Sequence, residues 1–419
     1  YTSPRKTPIS LRVMLHSASD LLCALWIRGD RLSGDALAEL EIGDGWFDDL
    51  EAELSPATKA SLEEVGCGDV WIALLPLLPE AGDGGTITSF LDYLASIDPV
   101  DLRYRLIQLH DKFDEDLREL IANAAEGDQA SVDALLERTE LEAIGLKQWR
   151  EALRHLLSLE PERTHELLVG TLRSVYDEAF AEREREFRPL LEADVRSKRA
   201  MARRVSPERL LELATSGINV TEEHARNPIV LIPTMVARPW VVFAPGNDFF
   251  VLGYPVGDEH LETDGDAPPP WLIKLHKALG DERRLRILRL LADEDATLAE
   301  LAEKSDVAKS TLHHHLMLLR TAGLVRIHMG SEKKYSLRDD TITDAASVLD
   351  HYIHGTTGRD DSGPRTTTTS ATPTSRRTTQ SWLVTSPRHI EPDPRTSGAR
   401  LHDGWCNSVP GCCRTSPTS

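Results

Sequence analysis

Apolar residues recur along most of this chain at helical spacing. Phe90, Leu91, Leu94 and Ile97 fall three or four apart, as do Leu102, Leu106, Leu109 and Phe113, and Leu117, Leu120 and Ile121 continue the series. Leu153, Leu156 and Leu157, then Leu167, Leu168 and Leu172, repeat the interval. Such spacing puts one apolar stripe on each helix, so the stretch from Thr88 to about Arg204 is predicted to be nearly all helix. Upstream, residues 9–15 alternate like a strand, and Ser19-Asp20 offers a cap for a helix running to Arg28. Ser55-Pro56 is a helix start, with proline in the first turn. The period changes between Ile229 and Tyr254. Ile229-Val-Leu-Ile232, Trp240-Val-Val-Phe243 and Phe249-Phe-Val-Leu252 are short apolar runs split by turn residues, which predicts a small antiparallel sheet near 229–254. Gly257 to Pro270 is acidic and ends in three prolines, a linker composition that sets a boundary at 261–270.

After that boundary the pattern is continuous to Leu337. A run at Leu285-Arg-Ile-Leu-Arg-Leu-Leu291 leads to Thr297-Leu-Ala-Glu-Leu-Ala302, a break at Ser305-Asp-Val-Ala308, and a second helix from Lys309 to about 321. Thr297 and Glu300 make a capping box. Leu298 and Leu301 are predicted to face inward and to meet Leu285, Leu288 and Leu291. Leu312, Leu316 and Leu319 form the buried stripe of the second helix. Its other face presents Lys309, Ser310, Thr311, His313, His314 and Met317, with Arg320 at the far end. Val325-Arg-Ile-His328 and Lys333-Lys-Tyr-Ser-Leu337 read as a hairpin, a basic wing over 325–337 that carries Arg326, Lys333 and Lys334. Two short helices joined by a tight turn let the second enter the major groove of double-stranded DNA while the first braces it. Base contacts fall to the near-N-terminal polar side chains, phosphate contacts to Arg320, Lys333 and Lys334, and Arg326 is a further DNA-binding candidate. A further helix, capped by Asp339 or Asp340, has an apolar face of Ile342, Ala345, Val348, Leu349, Tyr352 and Ile353. With the opening helix (Leu272, Leu275, Ala278, Leu279) it could form the seam of a homodimer presenting two such helices to a pseudo-palindromic operator.

Charge at first argues against that partner, because the 419 residues carry a formal net charge of -20. The distribution reverses the argument. Residues 271–340 hold 13 Lys/Arg against 11 Asp/Glu, a net of +2, while residues 1–270 carry -23. A polyanion meets local charge, and an acidic companion domain weakens nonspecific DNA binding. The expected architecture is mainly α (α+β), with an α-rich effector or dimerisation domain over 1–260 and a winged helix-turn-helix over 271–354. The tail over 355–419 holds 23 Ser/Thr and no periodicity, so it is either disordered or an out-of-frame read-through.

At this point the residues resemble a known family. Ala278-Leu-Gly-Asp-Glu-Arg-Arg-Leu-Arg-Ile-Leu288, Ser310-Thr-Leu-His-His-His-Leu316 and Ala322-Gly-Leu-Val325 look like the winged helix of the ArsR family of bacterial transcriptional regulators, over about a fifth of the chain. The resemblance implies a homodimer on operator DNA, usually a repressor released by an effector. Metal-sensing members carry Cys-x-Cys on the first helix of the pair. Thr297-Leu-Ala-Glu-Leu301 has no thiol, so metal sensing at that place is not expected. Ala308 stands where the second helix usually has a Ser cap.

Other chemistry is thin. No Walker loop, G-x-G-x-x-G, G-x-S-x-G or H-E-x-x-H occurs, so no catalytic residue and no cofactor is expected. Gly82-Asp-Gly-Gly85 is a turn without the strand-loop-helix frame for phosphate. Consecutive His313, His314 and His315 point about 100° apart and cannot converge on one ion. His110 with Asp114 reads as a solvated face. Arg183, Arg185 and Arg188 alternate with Glu182, Glu184 and Glu186 as an exposed charged helix. Arg196, Lys198, Arg199, Arg203 and Arg204 read as an ion-pair surface before a DNA-flanking patch. Trp46, Trp71, Trp149 and Trp240 are expected in the core before any effector pocket. Five unpaired cysteines (Cys23, Cys67, Cys406, Cys412, Cys413), the lack of a signal sequence and the lack of an 18-residue apolar run point to the cytoplasm. His402 and the tail cysteines have only a loosely zinc-like order. The alternatives to a DNA reader are an enzyme in residues 1–260, or a protein-interaction module with the winged helix in a secondary role.

Overall fold

The computed structural model describes residues 9–33, 40–107, 115–137, 147–220, 227–261, 268–305, 307–329, 333–338, 349 and 352–353. The chain is mainly α with two small sheets. Leu109, Phe113, His110, Asp114, the cap at Asp339 or Asp340, Ile342, Ala345, Val348 and the tail lie outside the described residues.

The first sheet has the order β1 (Leu11–Val13), β3 (Ile229–Thr234), β5 (Phe250–Pro255), β4 (Val242–Pro245). It is mixed, which corrects the expected antiparallel sheet. β4 and β5 form the hairpin that the Pro-Gly-Asn-Asp turn predicts, but β3 pairs β5 in parallel and β1 pairs β3 in parallel. The run after Thr234 crosses over and delivers β4 to the far edge instead of folding it back on β3. All six residues of β3 are buried, as strands covered on both faces must be.

The helix Ala18–Ser33 is buried through Ile27, and its apolar residues occupy every side. A helix apolar all round belongs inside a fold. Asp20 is in its first turn, but not as the expected cap. Its Oδ1 accepts from Thr234 Oγ1 at 2.6 Å and from the amides of Met235 and Val236 at 2.7 and 3.0 Å, and burial pushes its carboxyl up to about 6. The helix thereby closes the turn after β3. Nearby, Gly68 packs so tightly that a Cβ there would lie 2.4 Å from the carbonyl oxygen of Trp26.

Pro161–Val175, a π-helical turn at Tyr176–Phe180 and Ala181–Ala202 make one long helical run. The expected exposed charged helix is corrected here, because several of its charges face inward. Glu184 is 7% exposed and accepts from the amide of Ile87, while Arg183 pairs with Glu53 and lies over the Trp46 ring. Arg188 donates to the carbonyls of Gly84 and Gly85. Asp194, wholly buried, accepts from Tyr254 Oη at 2.6 Å, Gly257 N at 2.9 Å and Lys198 Nζ at 3.0 Å. Arg199 donates to Val13 O and pairs with Asp83, so much of the basic cluster is indeed used within the chain. Trp71, Trp149 and Trp240 are core, and Trp46 is partly buried against Phe180 and Phe187. No helix among the described residues is long and apolar enough to cross a membrane.

The second sheet joins a strand from the middle of the chain to the winged unit. Its order is β2 (Ile218–Val220), β7 (Val325–Met329), β8 (Lys334–Leu337), β6 (Ala296–Thr297). β7 and β8 are the predicted hairpin. β2, from the N-terminal side of the linker, lies parallel to β7 with Ile218, Asn219 and Val220 opposite Ile327, His328 and Met329. The amide of Ile327 donates to Gly217 O at 2.8 Å. Gly217 is at φ 112, and a Cβ there would sit 2.9 Å from Val325 O, so the approach needs glycine on both counts. Beside the strands, Glu212 accepts from Arg326 Nε at 2.6 Å and Arg209 Nη1 at 2.8 Å. Burial alone would raise its carboxyl, but the hydrogen bonds from Arg326 and Arg209 hold it below the usual carboxylate value.

A depressed carboxylate stabilises the fold at pH values above its unfolded pKa, and that stability is lost as pH falls through the folded value. Glu212→Ala should therefore lower the unfolding free energy at pH 7 by about 1–3 kcal/mol, the scale for orphaning a buried charged partner. Chemical denaturation across pH checks it: the gap to wild type should shrink below the ordinary glutamate range. A gap that does not depend on pH would contradict it.

Candidate nucleic-acid interface

The helix pair is built from Leu298–Ser305 and Lys309–Thr321. The capping box forms in both directions: Thr297 N donates to Glu300 Oε2 at 2.7 Å, and Glu300 N donates to Thr297 Oγ1 at 3.3 Å. Asp281 caps the preceding helix, Glu282–Asp293, through the amide of Arg284 at 3.0 Å. Leu312, Leu316 and Leu319 are fully buried, with Leu301, Leu288 and Leu291 in the same core. Leu285 is not part of that stripe. It is 48% exposed, one turn too early to face the pair, which corrects its expected inward role. Ala308 makes no side-chain cap, so the first amides of the second helix point outward without a side-chain acceptor.

The two halves of that helix differ. Lys309 and Ser310 are exposed, and Thr311, His313 and His314 are half-buried on the same side. His315 turns inward, and burial lowers its pKa. Met317 is 2% exposed, packed toward the mixed sheet, not outward as its spacing predicts. Arg320 is 1% exposed, and its Nη1 donates to Thr215 O at 2.5 Å. The expected phosphate role of Arg320 is corrected accordingly, because the guanidinium is committed inside the fold. Periodicity placed both residues correctly on the helix. It could not show that residues 215–220 would cover that face.

In the wing, Lys334 is exposed. Lys333 is half-buried with its ammonium 5.7 Å from the Tyr335 ring centroid, and burial pulls its pKa down to about 7. Arg326 pairs with Glu212. The expected basic wing thus keeps Lys334 as its outward cation, with Arg326 and Lys333 directed back onto the protein. What the sequence reading missed is the strand at Ile218–Val220. Its signal was present in Ser216-Gly-Ile-Asn-Val-Thr221, a glycine followed by a short alternation.

Elsewhere among the described residues, Asp194, Glu259 and His260 bring ligand atoms within 4.8 Å of one another. Lys198 already fills that place, with its Nζ 3.0 Å from Asp194 and 3.3 Å from Glu259, so the cluster is a salt bridge that ties the long helix to the loop after β5. Of the residues expected to form a dimer seam, Leu272, Leu275 and Ala278 are buried within the chain and Tyr352 and Ile353 are exposed, while the outward apolar side chains of the opening helix are Trp271 and Ile273.

Comparison with known proteins gives this geometry a family. Residues 281–326 match the model described as bacterial regulatory protein, arsR family. The uncharacterized HTH-type transcriptional regulator YceK of Bacillus subtilis is 41% identical over 71 residues, which are 16% of this chain and 71% of that protein. The transcriptional activator HlyU of Vibrio cholerae is 32% identical over 105 residues, 25% of this chain and 94% of its own. The transcriptional repressor SdpR of Bacillus subtilis is 32% identical over 79 residues, 19% of this chain and 88% of its own. No solved structure matches. These relatives are matched over most of their own length, the family match spans the helix pair, and the chain belongs to the ArsR family of bacterial regulatory proteins.

Proposed function

We propose that the chain is a DNA-binding transcriptional regulator that reads an operator with the first half of the helix Lys309–Thr321. The observation that carries this is the asymmetry of that helix: Lys309, Ser310, Thr311, His313 and His314 remain on an accessible side, next to an uncapped N-terminus, while the second half is buried. Short polar side chains at the start of such a helix reach base edges, and free N-terminal amides favour phosphate. Lys334 on the wing supplies a sequence-independent phosphate contact. Repression is the sense we infer, because occupancy of an operator suffices for it. The N-terminal part, outside the family match at 281–326, is the proposed effector-responsive or dimer-forming part.

In binding titrations of the full chain on DNA from around its own gene, affinity should fall steeply from low to physiological salt. His313→Ala with His314→Ala should cut discrimination between operator and random DNA by about 1–3 kcal/mol. Lys334→Ala should weaken both DNAs alike and reduce the salt slope by about 1. Unchanged selectivity in the histidine variant would overturn the groove assignment.

The dimer is proposed on an apolar surface that the fold leaves outside. Trp271 and Ile273 are 44% and 39% exposed at the start of the winged unit, and Tyr352 and Ile353 at its end are 37% and 55% exposed. A second copy burying such residues is the usual reason for large apolar side chains in water. Sedimentation should give a dimer for wild type and a monomer for Trp271→Glu with Ile273→Glu. A dimer in both would move the seam elsewhere.

A further inference from the structure

A small void lies where the mixed sheet meets the winged unit. Phe243, Phe250 and Leu252 line it from the sheet, and Met317, Met329 and Arg320 line it from the other side. It measures about 20 Å³, room for one water-sized guest. Its walls are apolar except at one place. Arg320 is 1% exposed, and while its Nη1 is bonded to Thr215 O, its Nε has no partner. Among the described residues no carboxylate favours its cation, and the Tyr335 phenol beside it is kept neutral, burial raising its pKa. Burial pulls its pKa down to about 10. Lys333 adds a second cation close enough for Arg320 to depress its pKa further. A buried cation with an unmet donor is costly unless something pairs with it.

We propose that this seam is a binding site for a monocarboxylic acid with an apolar body, its carboxylate accepting from Nε of Arg320 and its hydrocarbon taking the place of Met317 and Met329. Unbranched methionines can repack around such a guest. The void is smaller than any such acid, so entry requires β2 and β7 to part. That pairing is only three residues long, which keeps opening within reach. Because the guest shares a seam with the helix Lys309–Thr321, acid binding and DNA binding are linked. This second statement rests on the DNA-reading function proposed above, and the first does not.

Calorimetric titration of the full chain without DNA tests the site, with phenylbutanoate, phenylbutanol and phenylbutylamine as probes. The acid should bind at least tenfold more tightly than the alcohol, the scale of a charge-assisted hydrogen bond, and the amine most weakly. Arg320→Met should erase that preference and Arg320→Lys should keep part of it. Arg320→Met exchanges a buried charge without a carboxylate partner for an apolar chain of similar length but gives up the bond to Thr215 O, so its melting temperature is expected to fall by a few degrees with the fold retained. Should it not fold, Met317→Phe serves instead: it fills the void and should weaken all three probes. Hydrogen exchange at the amide of Ile327 should speed up when the acid is bound. Equal binding of acid and alcohol, no saturable binding of the acid, or an acid preference undiminished in Arg320→Met would overturn the site. None of these readouts contains DNA, so failure here leaves the DNA-reading function standing, and failure of that function leaves this site standing.

Discussion

The structure depends on one short strand pairing. Three residues, Ile218 to Val220, complete the sheet of the winged unit along β7, and around them are grouped the Arg320 bond to Thr215, the Glu212 pairs with Arg326 and Arg209, and the burial of Met317. An edge strand with unpaired backbone groups is a liability, and β2 removes it from β7. Without that seam the chain would be a DNA-binding module on a tether. With it, the N-terminal part is continuous with the wing, and whatever moves one bears on the other.

The seam also explains why the surface is divided. Burial takes the second half of the helix Lys309–Thr321 and leaves the first half, so the proposed reading surface is narrowed to about one and a half turns. The N-terminal part carries most of the negative charge of the chain, and it is tied to the second half of that helix through Arg320. An acidic neighbour penalises loose attachment to any DNA and leaves short-range base contacts to decide where the protein stops. The seam itself combines ion pairs at Glu212 with buried apolar side chains, Ile218, Met317, Ile327 and Met329, that belong to the same core as the mixed sheet.

Local patterns were legible in the sequence, and long-range pairings were not. The capping box at Thr297 and Glu300, the Leu312, Leu316 and Leu319 stripe, the hairpin of β7 and β8 and the helical run to Arg204 all follow from spacing, because each is settled by residues a few positions apart. The parallel pairing of β3 with β5 was not legible, since three apolar runs in a row look the same whichever neighbours they choose. Asp20 looked like a cap and instead closes a turn more than two hundred residues away. Met317 and Arg320 shared this fault. Their helix position was clear, but their surroundings were fixed by a strand a hundred residues upstream. The charged run at 182–188 misled because glutamate and arginine can be buried when each finds a partner, and composition does not show partners.

The central claim is that the first half of the helix meets DNA while the seam stays closed. Amide hydrogen exchange of the full chain, with and without a duplex carrying its operator, measures both parts at once. Added protection over 309–314 on DNA is expected, with unchanged slow exchange over 325–329, where Ile327 is bonded to Gly217. Protection absent from 309–314, or exchange over 325–329 that accelerates when DNA binds, would contradict it.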